Sequence, residues 1–66
     1  MSLWSKIDKQ LKKRNKTVYW LSKQTGISEN MFYALKKGRA NDLGFSKVEK
    51  VSDALDVDIN EFREEG

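Results

Sequence analysis

Asn30, Tyr33, Ala34 and Lys37 recur three and four residues apart, and in a helix such positions share one face. That face would carry a carboxamide, a phenol ring, a methyl group and an ammonium in a row. Each matches a feature of the DNA major groove. The Asn30 amide can bond the N6/N7 edge of adenine in bidentate fashion, Tyr33 and Ala34 can touch thymine methyls or sugar, and Lys37 can reach a guanine edge or a phosphate. Glu29, beside them, either accepts from cytosine N4 or excludes wrong bases by repulsion. Lys36, Arg39 and Asn41 follow at the helix end and in the next loop, as candidate phosphate clamps. Thr17 and Ser28 stand where helices begin, and there free amides and the helix dipole favour phosphate oxygens.

Each residue also has a plainer use. Lys36, Lys37 and Arg39 suit a helix C-terminus with no partner present, because they oppose the negative end of its dipole. Ser28 and Thr17 are caps whether or not they touch phosphate. Asn30 can be an ordinary solvated side chain, and a charge-rich outer face is what any surface helix shows. Trp4, Tyr19 and Trp20 are expected to pack in the core or at its edge; an exposed Trp20 would instead suggest a protein contact.

The composition removes other chemistries. Sixty-six residues are expected to form a single domain, and a chain of this size buries only about 60% of its unfolded surface, so a deep enzyme cleft is not expected. There is no cysteine and no histidine, which leaves no disulfide, few routes to a zinc site and no imidazole acid–base chemistry. The carboxylates gather near the C-terminus on short helices without a pocket to raise a pKa, so no catalysis, cofactor or small-molecule ligand is expected. At 38% hydrophobic residues with seven aromatics, the chain has enough apolar mass for a core. No stretch approaches the length of a membrane span and no signal-peptide core is visible, so a cytoplasmic protein is expected. The amphipathic first helix could lie on a membrane surface, but its apolar stripe is needed to complete so small a core.

Net charge is only +3, but it is unevenly placed. Residues 1–47 carry 11 Lys/Arg against three acids, Asp8, Glu29 and Asp42, whereas residues 48–66 carry two against seven. A domain with a basic part and an acidic part orients its basic side toward phosphates.

The elements that would position these residues are all helical. Leu3, Ile7 and Leu11 at fourfold spacing predict a first helix over 3–14. Thr17 caps a second over 18–25 that buries Leu21 and stops at Gly26, a residue able to take the left-handed conformation. Ile27 anchors the turn, Ser28 caps a third helix over 29–37 with Phe32 and Leu35 inward, and Gly38 ends it. A loop follows from Gly38 to Phe45. Ser46 with Glu49 has the form of a capping box opening a fourth helix, with Val48, Val51, Ala54 and Leu55 inside and its end near Asp56. Asp58 and Glu61 repeat that form for a fifth, carrying Ile59 and Phe62. Met1-Ser2-Leu3 and Glu65-Gly66 look like appended expression ends and carry little weight.

A helix, a glycine turn and a second helix over residues 17–37, with Leu21, Ile27, Phe32 and Leu35 inside, have the spacing of a helix-turn-helix. In these residues, with Thr17, Gly26-Ile27-Ser28, Gly38 and Ala54-Leu55-Asp56-Val57, the sequence resembles the phage-repressor and Cro-like helix-turn-helix family, or XRE class, over nearly its whole length. The resemblance implies a five-helix all-α fold and sequence-specific binding of double-stranded DNA. It also implies a bacterial or phage transcriptional repressor acting as a homodimer on a palindromic operator. Three features depart from the family pattern: Val18 stands where a glutamine touching the DNA backbone is frequent, Ser22 and Thr25 stand where core residues are usual, and the loop after Gly38 is about one residue longer. Leu43, Val57, Ile59 and Phe62 are the candidate dimer-interface residues, with core burial as the competing use. The rival function is a small helical protein-interaction module, antitoxin-like or a regulatory partner, working through Trp20 and the acidic end.

Overall fold

A computed structural model describes residues 2–62. The chain runs α1 (Leu3–Lys13), α2 (Val18–Thr25), α3 (Glu29–Lys36), α4 (Phe45–Leu55), then one 3₁₀ turn (Ile59–Phe62). The expected five helices are therefore four, followed by a single turn. The reason lies in the last segment: the Glu61 amide bonds the Asp58 carbonyl at 2.9 Å, an i→i+3 closure, and in that tighter winding residues three apart eclipse. Ile59 and Phe62 thus both reach the core without a longer helix. Asp58 does cap the turn, its carboxylate accepting from the Asn60 amide at 2.8 Å rather than from Glu61.

Capping decides where the other helices begin. Ser2, Thr17 and Ser28 each hold extended backbone and accept a hydrogen bond from an amide three residues on, at Ser5, Trp20 and Met31. Ser2 caps α1 and Leu3 lies in the core, so these two residues belong to the fold; Met1 and the other suspected end, 65–66, lie outside the described residues. The helix ends are equally specified. After α1, Asn15 turns left-handed (φ 55°), and the Lys16 and Asn15 amides bond the carbonyls of Leu11 and Lys12 at 2.9 and 3.2 Å. This six-to-one, five-to-two pattern satisfies two otherwise orphaned carbonyls. The same closure recurs at the end of α3 around Gly38 and at the end of α4 around Asp56.

The start of α4 differs from expectation. Its N-cap is Gly44, with φ 86° and ψ 154° and no side-chain cap, and Ser46 is the second helical residue rather than the cap. The capping box fails because Leu43 is drawn into the core, its amide held by the Asp42 carboxylate at 2.8 Å. From that anchor the chain needs a glycine-only backbone conformation to enter the helix at once.

Packing joins α2 to α3 and α4, α1 to α3, and the 3₁₀ turn to both α1 and α4. Ile7, Leu21, Phe32, Val51 and Leu55 are the most deeply buried side chains at the centre of this arrangement. Two polar residues are buried with them and both are satisfied: the Ser52 hydroxyl donates to the Glu49 carbonyl at 2.8 Å, and the Gln10 carboxamide oxygen accepts from the Arg14 guanidinium. Leu43 and Phe62, considered above for an interface, are buried in this core, and Val57 and Ile59 pack against it. Among the described residues, no helix is long and apolar enough to cross a membrane.

Candidate nucleic-acid interface

The turn between α2 and α3 is fixed by three hydrogen bonds on small hydroxyls. Ser22 donates to the Ile27 carbonyl at 2.7 Å, and Thr25 donates to the Leu21 carbonyl at 2.8 Å while accepting from the Ile27 amide at 3.2 Å. Ser22 and Thr25, noted above as departures, therefore have a structural use here: they hold the turn by hydrogen bonds. Gly26 at φ 75° and ψ 5° makes the reversal, and Ile27 is buried beneath it.

Phe32 and Leu35 tie α3 to the core, which turns its other side outward. Asn30, Tyr33, Ala34, Lys36, Lys37 and Arg39 line one shallow open depression on that side. Six of the ten residues singled out in the sequence are thus brought together. Three of the six are cations and none is an acid. Glu29, the one acid of α3, is half-buried at its first turn and does not line the depression.

The remaining three lie elsewhere. Thr17 and Ser28 are exposed, with hydroxyl oxygens accepting from the Trp20 and Met31 amides at 3.0 and 3.4 Å. Asn41 lies toward the start of α1, beside Leu3 and Ala40.

Two features of α2 were not anticipated. Lys16 places its ammonium 5.0 Å from the Trp20 ring centroid, and Lys23 places its own 5.3 Å from that of Tyr19. Trp20 is half-buried against the core as expected, but Tyr19 is 59% exposed and is not a packing residue. For Tyr19 and Lys23 the signal was present in the sequence, since they stand four residues apart within α2 and share one face, whereas Lys16 precedes the Thr17 cap and reaches Trp20 from outside the helix. Val18, at the opening of α2, packs against the core and offers no side-chain donor to a partner.

A family model for the Cro/C1-type helix-turn-helix DNA-binding domain matches residues 6–64. The chain belongs to this family. Comparison with curated proteins and with solved structures gave no match. Membership supports a DNA-binding regulator built on a helix-turn-helix.

Proposed function

We propose that this protein is a transcriptional repressor that binds a palindromic operator in double-stranded DNA as a homodimer, with α3 in the major groove. The observation that carries the reading is the outward face of α3 together with the turn that follows it: a carboxamide, a phenol ring and three cations converge on one depression that no acid lines. In this reading the Asn30 amide bonds an adenine edge, while Lys36, Lys37 and Arg39 neutralise phosphates or reach guanine. Thr17, Ser28 and Asn41 contact the backbone at the margins, and Glu29 sets a base preference at the first turn.

Two considerations support a second copy. One module of this size makes few contacts, and linking two multiplies affinity without new chemistry. Phe45 is also 71% exposed, the most exposed large apolar side chain described. Half-sites then lie about one helical turn apart, ~34–36 Å. Occupying such a site blocks other proteins from it, which is the simplest route to repression.

Selection from a random pool of duplexes tests this. The expected outcome is enrichment of a two-fold symmetric site, bound two chains to one duplex. Enrichment of no sequence at low salt overturns the reading.

A further inference from the structure

Three aromatic rings of the helix-turn-helix reach solvent, Tyr19 and Tyr33 as exposed side chains and Trp20 only in part, and they are not equivalent. Lys16 covers Trp20 and Lys23 covers Tyr19. Tyr33 is 41% exposed, and among the described residues no ammonium or guanidinium lies over its ring. This holds although Lys36, Lys37 and Arg39 line the same depression. The middle of α3 therefore presents a bare apolar face, widened by the half-buried methyl of Ala34, with hydrogen-bonding and charged groups to either side.

On the major-groove edge of a base pair, the feature that calls for apolar contact is the C5-methyl of thymine. The groups flanking Tyr33 address other edges: Asn30, three residues before it, suits adenine, and Lys37, four residues after it, suits guanine or phosphate. Glu29, the carboxylate suited to cytosine N4, sits at the first turn of α3 and does not line the depression, so nothing beside the Tyr33 ring addresses cytosine. We infer that Tyr33 is the specificity-determining residue for a pyrimidine 5-methyl group, placing a thymine at the base step next to the adenine bonded by Asn30. This inference rests on the DNA-binding reading above and names the base that reading leaves open.

Replacing thymine by uracil isolates the contact, because the two bases have the same hydrogen-bonding edge and differ only in the methyl group. The experiment measures affinity for the selected duplex with each thymine changed singly to uracil, for the wild type, Tyr33→Ala and Tyr33→Leu. The wild type is expected to lose about fourfold at one thymine in each half-site, the effect of burying one methyl group. Tyr33→Ala should bind more weakly and no longer distinguish thymine from uracil there, whereas Tyr33→Leu, still apolar, should keep part of the distinction. Circular dichroism confirms that both variants are folded. Insensitivity to uracil at every position, or equal sensitivity in Tyr33→Ala, overturns the inference and leaves DNA binding standing. Failure of the wild type to bind any duplex overturns the DNA-binding reading itself.

Discussion

The Ser22 hydroxyl donates a 2.7 Å hydrogen bond to the Ile27 carbonyl, tying the body of α2 to the first apolar residue beyond the turn. Since Ile27 is buried and α3 begins two residues later, this bond helps fix the angle at which α3 leaves the core. Ser22→Ala leaves that carbonyl short of a donor in a half-buried setting. The expected cost is about 1–3 kcal/mol, or roughly 4–8 °C of melting temperature for each kcal/mol in a domain of this size. Thermal unfolding of Ser22→Ala against the wild type checks it, and an unchanged midpoint contradicts it.

Gly26 and Gly44 should respond differently to substitution. Neither position has anything within 4 Å of an added Cβ, so only backbone strain counts. Gly26 lies in the left-handed helical region, which asparagine tolerates, so Gly26→Asn should cost less than Gly26→Ala. Gly44 at φ 86° and ψ 154° lies where side chains are essentially excluded, so both Gly44→Asn and Gly44→Ala should cost about 1–3 kcal/mol. Urea unfolding of the four variants gives the ranking directly.

Phe32 and Tyr33 are adjacent in sequence and opposite in role. Phe32→Ala removes a fully buried ring at an expected cost of about 3–5 kcal/mol, a large part of what holds a small domain together. Tyr33→Ala should leave stability within about 0.5 kcal/mol, as for an ordinary surface change. Chemical denaturation followed by far-UV circular dichroism separates the two. Equal losses would contradict the assignment of inner and outer faces on α3.

Binding should weaken steeply with salt if the cations beside α3 meet phosphates. Lys37→Ala and Arg39→Ala should each reduce the slope of log affinity against log salt by about 0.9. They should do so on selected and unselected duplexes alike. Slopes equal to the wild type would show that these cations only complement the α3 dipole.

Most of the architecture was legible from capping and periodicity. Thr17, Ser28, Gly26 and Gly38 mark their boundaries through local chemistry, and the structure uses them so. The start of α4 was not legible, because Ser46 and Glu49 satisfy a local rule that burial of Leu43 overrides. Neither was the form of the last element, where two apolar residues three apart suit one 3₁₀ turn as well as a short helix. The outward face of α3 followed from the inward placement of Phe32 and Leu35. What spacing did not disclose is which surface rings lysines cover, since i,i+4 pairs permit that contact without requiring it.

If α3 reads base edges through Asn30, removing its carboxamide erases one base preference and no other. Affinities of the wild type and Asn30→Ala are compared across the selected duplex with each base pair changed in turn. Asn30→Ala is expected to lose about 1–3 kcal/mol of discrimination at a single A·T pair in each half-site while keeping its preferences elsewhere. An unchanged preference profile in Asn30→Ala would contradict a base-reading role for Asn30.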